Sequence, residues 1–227
     1  MSITVAYVAL VAGIVVWVLL ARRLTAKPWE SPGPPPETVG EDAPARPSAK
    51  VGLLVLLAVI TSLFGLFISA YWMRMGHAHG QGDWSPAPLP RVLWLNTVLL
   101  VLSSACMQLA RSGIRRAGAG HARLGLILGG ILALAFLGGQ LLAWRQLNES
   151  GYFVTGNAAV SFFYLLTGVH GLHLLGGLFV WGRTVARMAQ PGVELIDLRL
   201  SVELCTVYWH YLLLVWLVLF GVLLWQV

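Results

Sequence analysis

Thr167-Gly168-Val169-His170-Gly171-Leu172-His173 lies in the middle of an apolar run from about 158 to 181. An ionised side chain at the centre of a membrane-spanning helix costs roughly 2.5–3.5 kcal/mol. Histidine avoids most of that cost by staying neutral, but each imidazole then calls for hydrogen-bond partners. Spacing of three residues puts both rings on one helix face, with Thr167 one turn below His170. That face is expected to look at protein rather than lipid, as a buried polar seam.

The rest of the chain fits the same setting. It is 58% hydrophobic and 11% charged, with a mean hydropathy of +0.77, outside the range of soluble domains. A bilayer crossing needs about 20 apolar residues, and such runs fall near 3–20, 51–73, 92–110, 122–144, 158–181 and 203–226. The expected fold is an all-α membrane protein of six transmembrane helices. Cys106 and Cys205 both lie inside apolar runs, so they read as small apolar side chains rather than a disulfide framework.

The net charge of +6 is no sign of a nucleic-acid partner, because the charges are segregated by loop. Twelve of the fifteen Lys and Arg residues fall in three alternate connections: 22–50, 111–123 and 183–199. The others hold only Arg74, Arg91 and Arg145. By the positive-inside rule the three basic loops are cytoplasmic and both termini periplasmic, in a bacterial-type inner membrane.

The first run carries no positive n-region; Arg22 and Arg23 follow it instead. It therefore reads as an anchor, inserted with its N-terminus outside, rather than a cleaved signal. Between 28 and 49 the chain has seven prolines and mixed charge, a composition that cannot bury enough apolar surface to fold. The expected domains are an anchor at 1–22, a cytoplasmic linker at 23–50 and a five-helix bundle at 51–227.

Within that bundle polar and small residues mark packed faces. Asn96, Thr97, Ser103, Ser104 and Gln108 share adjoining faces of one helix. Gly125, Gly129 and Ala133 form a small-residue ridge for close backbone approach, and Gln140 sits near the outer end of the same helix. In the last run Glu203, Thr206 and His210 form one stripe, while Trp209 and Trp216 share another. Interhelical hydrogen bonding accounts for most of these residues. A sharper reading makes His170, His173 and His210, with Glu203 as an oxygen donor, a metal or bis-histidine haem site. No spacing pairs His210 with the other two, and His77 and His79 lie in a loop. No phosphate loop, nucleophile motif or catalytic carboxylate pair is present.

These residues also resemble a known family. Phe162-Phe163-Tyr164 running into Thr167-Gly168-Val169-His170-Gly171-Leu172-His173 and Gly176 is similar to the hallmark of subunit III of haem–copper respiratory oxidases. Glu203 followed by Tyr208-Trp209-His210-Tyr211 and Trp216 resembles its second hallmark. Leu95-Asn96-Thr97 with Ser103-Ser104, and Gln140 with Trp144, resemble further segments. The likeness covers about 50–227, the five-helix form of the family, with the N-terminal anchor as an addition.

The resemblance implies a non-catalytic accessory subunit of a proton-translocating terminal oxidase of the cytochrome c oxidase type. Its partners would be the haem- and copper-bearing subunit I, the copper-bearing subunit II and small subunits. Haem and copper would reside in those partners and none in this chain, which would hold structural phospholipid and support proton uptake. Thr167, His170, His173, Glu203, Trp209, His210, Gln140 and Asn96 are the candidate structural, proton-network or lipid-cleft residues. Two departures weigh on the proton role: Leu63 and Leu213 stand where the family commonly carries membrane-embedded acids. A quinol oxidase or nitric oxide reductase subunit shares the same helices. An independent haem protein or proton-coupled transporter is the reading from a different class.

Overall fold

The computed structural model describes residues 46–78, 84, 88–116, 119–190 and 195–225. Five helices account for nearly all of them: α1 (Arg46–Ala78), α2 (Val92–Arg115), α3 (Ala119–Glu149), α4 (Ala158–Met188) and α5 (Leu195–Leu224). Each contains a stretch long and apolar enough to cross a bilayer. At 1.5 Å per residue, 24 to 33 residues span about 36–50 Å, more than the ~30 Å hydrocarbon core. The anchor expected at 1–22, and all of the linker expected at 23–50 but its last five residues, lie outside the described residues. So do the His79 backbone and the His77 side chain.

The helices begin earlier or end later than the apolar runs that announce them. Hydropathy marks only the part inside hydrocarbon, whereas backbone hydrogen bonding carries a helix on into the polar flank. Ion pairs one turn apart assist it: Arg145 Nε lies 2.7 Å from Glu149 Oε1 in the last turn of α3. Arg199 Nε lies 3.5 Å from Glu203 Oε1 in the first turns of α5. The α3–α4 connection is a built turn. Gly151 adopts φ 85°, a left-handed conformation that favours glycine. Around it Tyr152 N–H bonds the Leu147 carbonyl and Gly151 N–H that of Asn148, the pairing of a Schellman motif. The Asn157 side chain then caps α4 by accepting from Ala159 N–H at 3.0 Å.

Residues from Leu53 onward form one packed unit. In it α2 packs on α3, α3 on α4, α4 on α5 and α5 back on α2, a closed ring of four helices. The α2–α3 pair is the tightest. A Cβ on Gly125 would lie 2.5 Å from the Ala110 nitrogen and 2.6 Å from the Cys106 carbonyl oxygen. One on Gly129 would meet the Met107 side chain at 3.1 Å. Backbones can approach this closely only where side chains are absent. The fully buried Phe136, Phe163, Trp209 and Trp216 fill the ring. A smaller cluster of Ala110, Ile114, Ala122, Leu126, Leu198 and Val202 closes the end where α2 ends and α3 and α5 begin.

Helix α1 is peripheral: 11% of its apolar window is buried, against 33–44% for the other four. Long side chains make its contacts. Phe64 reaches the histidines of α4, and Tyr71 meets Phe162 at the start of that helix. Thr61 Oγ1 lies 2.8 Å from the Tyr211 hydroxyl of α5.

Candidate functional site

His170 and His173 share a helix face but enter different surroundings. His170 is fully buried in an aromatic box. The Phe136 ring stands edge-on to it at 5.8 Å, Trp216 lies at 5.3 Å and Phe64 at 6.5 Å between centroids. Neither of its nitrogens has a hydrogen-bond partner among the described residues. A polar seam with partnered rings is therefore not what forms at this position. Three aromatic rings from α1, α3 and α5 converge on it, Phe136 edge-on and the other two tilted, and ring packing takes the place of hydrogen bonds.

His173 turns toward α1. Its Nδ1 lies 2.8 Å from the Val169 carbonyl, an acceptor-only group, so Nδ1 carries the proton and Nε2 is left as an acceptor. Its ring packs on Phe64 at 5.6 Å, and its own carbonyl accepts from the Tyr208 hydroxyl at 2.9 Å. One turn earlier, Thr167 donates to the Phe163 carbonyl at 2.7 Å and accepts from Trp144 Nε1 at 3.1 Å. That second bond ties α3 to α4.

Beside His173 a cavity of about 460 Å³ opens between α1, α4 and α5. Leu53 and Leu56, Leu172, Gly176 and Val180, and Trp209 with Cys205 form its mostly apolar wall. Ligand cavities generally fall within about 300–1,000 Å³. The Cβ position of Gly176 has no atom within 4 Å, so this glycine widens the space. The cavity lies in the half of the bundle where α1 begins and α4 ends.

Trp209, on the cavity wall, is also the centre of a relay across three helices. Its Nε1 donates to Ser103 Oγ at 2.9 Å, and Ser103 donates to the Gly129 carbonyl at 2.6 Å. Trp216 repeats the device, donating to Thr97 Oγ1 at 3.0 Å. Asn96 and Gln140 form a buried amide pair, Nδ2 to Oε1 at 3.4 Å. Gly139 makes room for it: a Cβ there would collide with the Asn96 amide.

Glu203 and His210 lie on the α2 side of α5, away from the histidine pair. Glu203 Oε1 bonds Arg115 Nε at 2.9 Å and Arg199 Nε at 3.5 Å, so two guanidinium groups hold its carboxylate at the helix end. His210 Nδ1 is hydrogen-bonded to Ser104 Oγ, and its Nε2 lies 3.2 Å from Gln108 Oε1. The structure does not bring His170, His173, His210 and Glu203 together. Among the described residues no group of three or more His, Cys, Asp and Glu is placed to hold a metal ion. Leu63 is half-buried and Leu213 packs against the core; both are leucine, which carries no acid.

Three contacts escaped the sequence reading. Trp181 Nε1 donates to the Leu126 carbonyl at 2.8 Å across α3 and α4, and a Cβ on Gly130 would strike its indole. Tyr164 donates to Asn148 Oδ1 at 2.9 Å and closes the α3–α4 turn. The Thr61–Tyr211 bond fixes α1 to α5. Of these, the Trp181 contact alone leaves a trace in the sequence, the doubled Gly129-Gly130 whose second member faces that indole.

Comparison with known proteins places this geometry. Residues 45–227 match the family described as cytochrome c oxidase subunit III. The chain is similar to cytochrome c oxidase subunit 3 of Thermostichus vulcanus, 29% identical over 176 residues, covering 76% of this chain and 85% of that one. It is similar to the protein of the same name from Synechocystis, 31% identical over 174 residues, with 74% and 72% covered. It is also similar to cytochrome bo(3) ubiquinol oxidase subunit 3 of Pseudomonas aeruginosa, 28% identical over 180 residues, with 75% and 81% covered.

Proposed function

The chain belongs to the cytochrome c oxidase subunit III family, and from that membership we propose that it is the non-catalytic accessory subunit of a proton-translocating terminal oxidase. It is a multi-pass membrane protein. In the proposed assembly it packs against the haem- and copper-bearing subunit I, alongside subunit II. The proposed setting is a bacterial-type inner membrane, and the loop charges support an orientation with the basic connections in the cytoplasm. The segments 1–22 and 23–50 serve as anchor and tether, and 51–227 as the bundle.

The observation that carries the role is the division of polar groups in the bundle. Thr167 and Trp209 are spent on contacts between helices. Asn96 and Gln140 join α2 to α3 by a single bond that leaves Asn96 Oδ1 and Gln140 Nε2 without partners among the described residues, and Glu203 is held by two arginines. That leaves little for chemistry and supports a scaffold. The space beside His173 supports lipid retention, because its apolar wall and its volume suit an acyl chain from the inner leaflet. Support of proton uptake then acts through the shape of the complex, since Leu63 and Leu213 offer no membrane-embedded carboxylate. The relative named as a ubiquinol oxidase subunit supports a quinol-oxidising complex as the second reading.

The lipid role is tested by filling the cavity. In Gly176→Leu the side chain enters space now open. The purified oxidase is expected to retain less phospholipid and to inactivate within fewer turnovers, with its haem spectrum unchanged. Phosphorus analysis and a turnover time course read the two effects. Unchanged lipid content would remove the cavity from the account, and a lost haem signal would contradict the scaffold role.

A further inference from the structure

Gln108 and His210 are exposed on the outside of the bundle at a depth where the lipid-facing surface is otherwise apolar. Gln108 lies seven residues inside the end of α2 at Arg115, about 10 Å along the axis. At comparable levels α3 exposes Leu128 and Ile131, and α4 exposes Leu172, Leu175 and Phe179. The exposed hydroxyls of Thr61 and Ser62 on α1 bond carbonyls of their own helix. Polar side chains at such depth are costly against lipid and ordinarily face protein or a water-filled cavity.

The groove between α2 and α5 has a definite chemistry. Gln108 Oε1 is an acceptor, so the His210 Nε2 facing it carries the ring proton and the Ser104 hydroxyl donates to Nδ1. The Gln108 amide nitrogen keeps both its hydrogens without an acceptor among the described residues. One turn further toward the inner surface, Arg111 makes no ion pair among the described residues, and its Nε is buried with no hydrogen-bond partner. What the groove leaves unanswered is therefore donors and positive charge. Ala105 on α2, and Val101, Val207 and Leu214 flanking it, are exposed, and the small Ala105 permits close helix approach.

We infer that the α2–α5 groove docks a companion subunit of the oxidase, through a transmembrane helix carrying a carboxylate that reaches Arg111 and Gln108. Acceptor and negative charge are what the groove lacks, and a planar carboxylate satisfies a guanidinium by paired hydrogen bonds. The apolar flanks cover the rest of the helix surface. This inference rests on the subunit role proposed above and adds the face, and the residues, through which it is exercised.

The test uses the assembled complex in native membranes. A photo-reactive amino acid is placed at Ala105 in one variant and at Leu175 on α4 in another. Irradiation is expected to join the Ala105 variant to a haem–copper oxidase subunit, and the Leu175 variant not to that subunit. Independently, Arg111→Glu is expected to lower recovery of companion subunits with the tagged chain at least tenfold, with Arg111→Lys close to the natural chain. Size exclusion of a fluorescent fusion verifies that each variant remains folded. Adducts from Ala105 to lipid alone, as for an arginine bound to a phosphate headgroup, would overturn the inference. So would the companion adduct from Leu175 but not Ala105, or full recovery with Arg111→Glu. If the natural chain brings down no oxidase subunit at all, the subunit role itself fails rather than the location of its interface.

Discussion

Gly125→Val is expected to separate α2 from α3 and to lower the unfolding temperature in detergent sharply, whereas Gly138→Val on the same helix is expected to be nearly silent. Both substitutions place the same β-branched residue within one helix, so the propensity change is shared. The surroundings differ. At Gly125 the new Cβ lies 2.5 Å from the Ala110 nitrogen and 2.6 Å from the Cys106 carbonyl oxygen. Those atoms are backbone and cannot rotate away. At Gly138 nothing lies within 4 Å and the position is exposed. Overpacking a core typically costs about 1–3 kcal/mol, and backbone-to-backbone contact sits at the upper end. At roughly 2–4 °C per kcal/mol for a chain of this size, the two variants should differ by several degrees. Equal shifts would show that the α2–α3 approach is looser than described.

The second large effect is expected at Trp209. Trp209→Ala removes a fully buried indole, a truncation that costs about 3–5 kcal/mol in packed cores. It also removes the donor that links α5 to Ser103 of α2 and, through that hydroxyl, to the Gly129 carbonyl of α3. Trp209→Phe keeps most of the ring and loses the N–H, a hydrogen bond worth about 0.5–1.5 kcal/mol. The expected order of thermal stability is natural chain, then Phe, then Ala. Because Trp209 also lines the cavity, the Ala variant should enlarge it and alter lipid retention as well. An Ala variant as stable as the natural chain would contradict the relay as a fastening of the ring.

The five helices were readable because membrane insertion imposes one strong rule: apolar runs of bilayer length become helices. Five such runs, beginning near 51, 92, 122, 158 and 203, correspond to α1–α5. Their ends were not readable from hydropathy, since Arg145 with Glu149 and Arg199 with Glu203 extend helix into polar sequence. The Gly125–Gly129–Ala133 ridge was legible from spacing, and it meets α2. Gly130 and Gly139 were not, because their reason is a single bulky or polar neighbour, Trp181 or Asn96, on another helix.

The histidine pair shows the limit most clearly. Spacing of three residues assigned His170 and His173 to one face, but their angular offset on the helix is enough to send them into different environments. His170 enters an aromatic box built by Phe64, Phe136 and Trp216 from three other helices. His173 reaches the cavity edge. Only the packing of α1 beside α4 decides this, and no local pattern in 158–181 encodes where α1 lies. His210, which no spacing pairs with the other two, takes its partners Ser104 and Gln108 from α2.

The most direct measurement is purification of the tagged chain from its native membrane in mild detergent, with mass spectrometry and a reduced-minus-oxidised spectrum of the product. The account predicts a haem–copper subunit and a copper-bearing subunit II in stoichiometric amount, with all haem bands contributed by those partners. A chain that emerges alone and carries a Soret band of its own would contradict it.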